Sequence, residues 1–153
     1  MVQLSKTPEQ FMLVALEQAK QAELCGEVPV GAVVVLNNEI IAKGQNFCIT
    51  KNDPTMHAEI HALRQAGTYL NNYRLQGCDL YVTLEPCMMC LGAMLHARIQ
   101  RVYYGASDPK TGALGGRVNL NDLYTVNHTL EIYPNILSEA CSQLLKKFFQ
   151  ARR

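Results

Sequence analysis

Thr83-Leu84-Glu85-Pro86-Cys87-Met88-Met89-Cys90 is the stretch around which the fold and the chemistry of this chain are organised. It ends an apolar run, and Pro86 suits the first turn of a helix because it has a fixed φ and no N–H to lose. Residues three apart share a helical face, so Cys87 and Cys90 are predicted to point the same way. Helix N-terminal N–H groups and a divalent cation both favour thiolate over thiol. The spacing therefore predicts a pair of metal ligands.

A third ligand is expected upstream, in Pro54-Thr55-Met56-His57-Ala58-Glu59. One neutral imidazole and two thiolates balance the charge of Zn²⁺ and leave a fourth tetrahedral position for water, as in catalytic zinc sites. Zinc lowers the pKa of such a water from about 15.7 toward about 7, which makes hydroxide available at neutral pH. Residues two apart lie about 200° apart around a helix. Glu59 is therefore predicted to be the proton shuttle and His57 the ligand.

The C-x-x-C spacing alone also fits a redox pair or half of a four-cysteine structural zinc site. A redox pair has no use for the upstream His-x-Glu, and the chain contains no second C-x-x-C. His57 and His61 lie four apart, as in the zincin motif, but Ala58 stands where that motif has its glutamate. We therefore interpret His61 as a packing or surface residue.

The apolar pattern predicts helices and strands that alternate after an initial hairpin. Helices are expected at 8–24, 57–66, 87–97 and 136–152, and strands at 28–36, 39–43, 78–84, 101–106 and 128–133. The Asn37-Asn38 turn makes the first two strands antiparallel. This order predicts an α/β protein, a three-layer α/β/α sandwich with a mixed five-stranded sheet, in a single domain over residues 1–153. The glycine-rich loop over 108–116 is expected to carry binding residues.

The composition excludes several classes of protein. Hydrophobic residues make up 48% and charged residues 18% of the chain, which is ordinary for a globular domain. We find no signal sequence and no apolar run near the ~20 residues of a membrane span, so we expect a cytoplasmic protein with no membrane partner. The net charge of +1 does not indicate a nucleic-acid binder. The remaining cysteines are expected to be small buried thiols; they are Cys25, Cys48, Cys78 and Cys141.

His57-Ala58-Glu59 followed by Glu85-Pro86-Cys87-x-x-Cys90 resembles the signature of the cytidine deaminase superfamily of zinc hydrolases. Over nearly the whole chain the sequence is similar to the bacterial tRNA-specific adenosine deaminases, in the segments 27–33, 53–60, 72–75, 80–87 and 110–113. That family converts the wobble adenosine of a tRNA anticodon to inosine and acts as a homodimer. The resemblance implies a cytidine deaminase-like fold whose two zinc helices lie side by side, with one Zn²⁺ per subunit.

The resemblance also implies contacts to the RNA of four kinds: a hydrogen bond to the flipped nucleotide, an apolar wall for the base, contacts to flanking nucleotides, and contacts from the C-terminal helix. The hydrogen bond is implied for Asn46, and the apolar wall for Val30, Val82 and Leu84. The flanking nucleotides would be contacted by Asp108 and Lys110, and the contacts from the C-terminal helix would come from Phe148, Phe149, Arg152 and Arg153. With Lys146 and Lys147, the last group places cations and aromatic rings together, the residue types that phosphate attraction and base stacking require.

The zinc chemistry does not name the base, because cytosine at C4 and adenine at C6 offer the same electrophile. A free-base or nucleoside deaminase acting on guanine or cytosine would share the metal site and need no RNA surface. A catalytically silent zinc-binding subunit that presents RNA to a partner would need no proton shuttle, so Glu59 argues against it.

Overall fold

The computed structural model of the protein describes residues 5–123 and 128–152. Within these ranges, helices and strands follow one another in the order α1 (Pro8–Leu24), β1 (Gly31–Leu36), β2 (Glu39–Gln45), α2 (Cys48–Lys51), α3 (Ala58–Leu70), β3 (Asp79–Leu84), α4 (Met88–Ala97), β4 (Arg101–Ala106), β5 (Glu131–Tyr133) and α5 (Ser138–Gln150). No helix in this part of the chain has the length and apolar character needed to cross a bilayer.

The strands form one mixed sheet in the order β2-β1-β3-β4-β5. β1 runs antiparallel to both of its neighbours, β2 and β3, while β3, β4 and β5 run parallel to one another. The predicted hairpin turn at Asn37 and Asn38 joins β1 to β2, and both residues have positive φ, at 51° and 64°. The prediction of a mixed five-stranded α/β sheet is confirmed.

Successive residues of the central strands pack into two different cores, because side chains alternate across a sheet. Ala32 and Val34 lie in the core beneath α3 and α4, whereas Val33 and Val35 lie in the core beneath α1 and α5. The sheet is therefore the middle layer of a three-layer α/β/α sandwich, as predicted.

Gly44 in β2 allows α3 to approach the sheet closely. A Cβ at this position would collide with the backbone at Ala58 and Ala62. Because α3 lies directly on β2 at its first turn, the residues that open this helix are fixed relative to the sheet.

Two predicted boundaries, the first residue of β1 and the first residue of α4, are wrong. β1 begins at Gly31 and not at residue 28, because Pro29 has no N–H to donate to a strand ladder. α4 begins at Met88 with Cys87 as its N-cap, so Pro86 precedes the helix and does not lie in its first turn. The connection from β3 to α4 is consequently one residue longer than predicted.

Other predicted boundaries shift by a few residues. α3 continues through Gly67 and ends at Leu70, and its C-cap Asn71 adopts a left-handed φ of 52°. α5 begins at Ser138, after Leu137 with φ 52°. The short helix α2 was not predicted; the buried Glu27 carboxylate accepts hydrogen bonds from the Ile49 and Thr50 amides in it.

The cysteines outside the C-x-x-C pair do not all behave as expected. All six cysteines of the chain, which lie within the described residues, are free thiols. Cys78 and Cys141 are buried as predicted, but Cys25 is exposed and Cys48 is half-buried.

Candidate active site

The predicted metal ligands lie where two helices begin on the same face of the sheet. His57 is the N-cap of α3 and Cys87 is the N-cap of α4, with Cys90 in the first turn that follows. The His57 Nδ1 atom lies 3.6 Å from the Cys87 sulfur and 3.6 Å from the Cys90 sulfur. Residues 30 and 33 positions apart in the sequence thus converge on one point.

The spacing of these atoms fits a tetrahedral zinc ion. Zinc–sulfur bonds of about 2.3 Å and zinc–nitrogen bonds of about 2.0–2.1 Å, meeting at the tetrahedral angle, place nitrogen and sulfur about 3.6 Å apart. The three ligand atoms lie within 4.8 Å of one another, so a single ion can contact all of them. The His57, Cys87 and Cys90 side chains are therefore able to hold a metal.

Hydrogen bonds among the three ligand side chains shift their pKa values. The hydrogen bond from Cys90 lowers the pKa of Cys87 to about 4, although burial opposes the change. The same hydrogen bond, together with burial, raises the pKa of Cys90. Hydrogen bonding to Cys87 raises the pKa of His57. The group shares protons that a bound cation would displace.

Glu59 is the second residue of α3 and is only 4% exposed. Its carboxyl group lines the same cavity as His57 and Cys87 but does not belong to the three-atom ligand set. Burial raises the pKa of Glu59 to about 7, a value suited to giving and taking protons near neutral pH. Glu59 thus has the location of a proton shuttle.

A cavity of about 190 Å³ opens beside the ligands. Its lining includes four of the predicted substrate residues, Val30, Asn46, Leu84 and Asp108. The remaining lining residues are Val28, His57, Glu59, Glu85, Cys87 and Thr111. The predicted contacts Val82 and Lys110 are not part of this lining, because Val82 is fully buried in the sheet and Lys110 is exposed on the loop outside.

The Asn46 side chain makes two hydrogen bonds within the protein. Its oxygen accepts the Ala58 amide at 2.8 Å, and its nitrogen donates to the Val28 carbonyl at 3.2 Å. His57 makes no capping hydrogen bond of its own, so Asn46 satisfies the first free amide of α3 in its place. A side-chain amide has two N–H donors, which leaves Asn46 one N–H for a substrate.

The Asp108 carboxylate shapes the loop that contains it. One oxygen accepts the Lys110 and Thr111 amides at 2.9 and 3.2 Å, and the other accepts the Thr111 hydroxyl at 2.8 Å. Asp108 and Thr111 both line the cavity, so this turn forms part of its wall.

A family model for MafB19-like deaminases matches residues 7–153. A curated tRNA-specific adenosine deaminase of Haemophilus influenzae is 54% identical over 150 residues, which cover 97% of this chain and 87% of that protein. This chain belongs to the tRNA-specific adenosine deaminase family.

Solved structures agree with this deaminase assignment. A protein from structural studies of A-to-I editing by tRNA:A34 deaminases at the wobble position of transfer RNA superposes with a TM-score of 0.83 and 42% identity, covering 89% of this chain and 99% of that one. A guanine deaminase of Bacillus subtilis superposes with a TM-score of 0.65 and 37% identity, covering 97% of this chain and 94% of that one. The cytidine deaminase-like fold is confirmed.

The predicted RNA contacts at the C-terminus of this deaminase differ in exposure. Phe149 is 49% exposed, whereas Phe148 is 4% exposed and its ring is covered by the Arg152 guanidinium, whose carbon lies 3.5 Å from the ring centroid. Lys146 and Lys147 are exposed beside them. Arg153 lies outside the described residues. Phe149 is thus the ring of this group with a free face.

Sequence reasoning assigned no role to three residues of the deaminase cavity, Val28, Glu85 and Thr111. Glu85 could have been found, because it lies at the end of an apolar strand, and a carboxylate is seldom fully buried unless it has partners. Thr111 lies in the glycine-rich loop over 108–116, which was expected to carry binding residues, whereas Val28 carried no such signal.

Proposed function

We propose that this chain is a zinc-dependent hydrolase that converts the wobble adenosine of a tRNA anticodon loop to inosine. The observation that carries the proposal is the pairing of a three-ligand metal group with a buried carboxylate, Glu59, that is not a ligand. The family of the chain supports tRNA as the substrate.

The reaction adds one water to the adenine ring at C6 and releases one ammonia. A zinc ion held by His57, Cys87 and Cys90 would supply a water acidic enough to attack at neutral pH. Glu59 would take one proton of the attacking water and pass it to the ring nitrogen beside C6. It would then carry the second proton, from the hydroxyl formed at C6, to the departing amine, so both protons of the water are accounted for. A carboxyl group with a pKa near 7 can both accept and return these protons.

The dimensions of the cavity suit a single base. Its volume of about 190 Å³ is smaller than the roughly 300–1,000 Å³ of typical small-molecule sites. A flipped base can enter while its ribose and the rest of the RNA stay outside. Val30 and Leu84 supply apolar surface for the faces of the base, and the remaining N–H of Asn46 can donate to it.

RNA outside the cavity would meet the loop carrying Asp108 and Lys110 and the C-terminal helix. Phe149 offers a face for stacking, and Lys146 and Lys147 offer charge to phosphates. Phe148 and Arg152 pack on each other, so contact with the Phe148 ring would require Arg152 to move. Val82 supports the base wall from within the sheet, behind the lining residues.

We also propose that the deaminase is a single domain over residues 1–153 and works as a cytoplasmic homodimer with one Zn²⁺ per subunit. The family resemblance supports this assembly. Light scattering combined with metal analysis measures both the mass of the particle and its zinc content, and a monomer with full activity would contradict the dimer.

A substrate comparison tests the proposed function. The zinc-loaded enzyme is incubated with an anticodon stem-loop carrying adenosine at the wobble position, with the same RNA carrying that adenosine in the stem, and with free guanine, cytosine and adenosine. We expect inosine only in the wobble RNA. Xanthine from guanine, or turnover of free nucleoside alone, would favour a free-base or nucleoside deaminase and refute the proposal.

A further inference from the structure

Glu85 lies between β3 and α4, is 2% exposed and lines the base cavity. One of its oxygens accepts the Ser107 hydroxyl at 3.1 Å and the Asp108 amide at 2.9 Å. The other accepts the Leu114 and Gly116 amides, both at 2.9 Å. An ionised carboxylate has about four acceptor sites. All of them are therefore occupied by the loop that follows β4.

The occupied acceptor sites of Glu85 distinguish it from Glu59, the other buried glutamate of the cavity. The Glu59 carboxyl group is hydrogen-bonded by its own backbone amide and by the Cys90 thiol. Glu85, in contrast, has no lone pair left for a proton in transit. A general base must reach the proton that it removes. Glu85 could accept a proton only if the loop moved away from it. Its hydrogen bonds therefore hold the loop in place.

The loop is shaped to enclose this carboxylate. A Cβ at Gly112 or at Gly116 would collide with the Glu85 carboxylate and with the Asp108 carbonyl. The same loop pairs with the metal-ligand segment, since the Ala113 amide donates to the Pro86 carbonyl at 2.9 Å. Glu85 thus ties the backbone next to Cys87 to the far wall of the cavity.

We propose that Glu85 is a positioning residue that holds the loop over residues 107–116 as a preformed wall of the base pocket. It acts through Asp108 and Thr111, the loop residues that line the cavity. A preformed wall removes the cost of ordering the loop when the RNA binds. The consequence for substrate affinity rests on the proposed function, but the anchoring of the loop does not.

Glu85→Gln tests the anchor, because in either orientation the new NH2 group faces at least one backbone amide, donor against donor: that of Asp108, or those of Leu114 and Gly116. We expect hydrogen exchange of the Asp108 amide and of the amides in 112–118 to accelerate, while the amides outside the loop and the zinc content stay as in the wild type. KM for the stem-loop should rise by roughly tenfold or more, the equivalent of one hydrogen bond to a charged group, while kcat stays within about threefold. Glu39→Gln, at an exposed position of β2, is the matched control.

Gly116→Ala is the second variant, since it keeps the carboxylate and forces the loop away from it. We expect the same exchange pattern and the same effect on KM for this variant. If Glu85→Gln does not fold, Gly116→Ala alone tests the anchor. Unchanged exchange at 112–118 in the folded variants, or a fall in kcat with wild-type KM and exchange, would overturn the anchor. A wild-type enzyme inactive on the stem-loop would refute the proposed substrate, and the exchange experiment would still decide the role of Glu85.

Discussion

Replacing Glu59 by glutamine removes the one cavity carboxylate that is free to move a proton. Three carboxyl groups line the cavity. Those of Glu85 and Asp108 accept hydrogen bonds from the loop backbone, and that of Glu59 does not. Glutamine keeps the size of the side chain but cannot act as a base, so the Glu59→Gln variant isolates proton transfer from packing.

The expected loss is the full contribution of general acid–base catalysis. A positioned acid or base typically contributes about 10²–10⁴-fold, which corresponds to about 3–5 kcal/mol of barrier at 1.36 kcal/mol for each factor of ten. Zinc content should stay at the wild-type level, because the His57, Cys87 and Cys90 atoms are untouched. Stability should not fall, because the variant replaces a carboxyl group that burial penalises, as the rise of the Glu59 pKa to about 7 shows.

The assay is single-turnover inosine formation on the wobble stem-loop at saturating enzyme, with zinc measured by mass spectrometry on the same sample. Glu39→Gln controls for the loss of one carboxylate at an exposed position. A Glu59→Gln enzyme that retains zinc and reacts within about tenfold of the wild type would refute the proton-shuttle role. Loss of zinc would instead make Glu59 a ligand.

Asn46→Ala should lower the free energy of unfolding by about 1–3 kcal/mol in urea titrations, because a helix cap and a second hydrogen bond are lost together; stability equal to the wild type would contradict the capping role. Cys90→Ala should abolish stoichiometric zinc binding while Cys25→Ala, at an exposed thiol, retains it, as metal analysis would show. Phe149→Ala should weaken stem-loop binding by about 1–3 kcal/mol in a fluorescence titration without changing the single-turnover rate at saturation; unchanged affinity would exclude stacking on this ring.

Local signals in the sequence predicted the elements of the fold. Ala32 and Val33 are both buried but pack into opposite cores, as the period of a strand covered on both faces requires. The capping box between Thr7 and Gln10 marks the start of α1 where it was predicted. The bounds of β4 agree with the apolar run at 101–106. These features depend on near neighbours, which is why one sequence is enough to predict them.

Features that depend on distant contacts could not be read in the same way. The meeting of His57 with Cys87 requires two helices to begin on the same face of the sheet, and only the family resemblance implied it. Asn46 was predicted only as a contact to the flipped nucleotide, and its capping of α3 appears only when β2 and α3 are in contact. The four partners of Glu85 come from a loop 22 to 31 residues away, which no local pattern predicts.

X-ray absorption at the metal edge of the purified enzyme shows whether His57, Cys87 and Cys90 hold a catalytic zinc ion. We expect zinc with two sulfur ligands at about 2.3 Å, one nitrogen at about 2.0–2.1 Å and one light atom from solvent in the fourth position. Addition of a stem-loop should change the signal of that fourth ligand and leave the sulfur shell intact. A zinc ion enclosed by four protein ligands, or a folded and active enzyme without metal, would contradict the proposed hydrolysis.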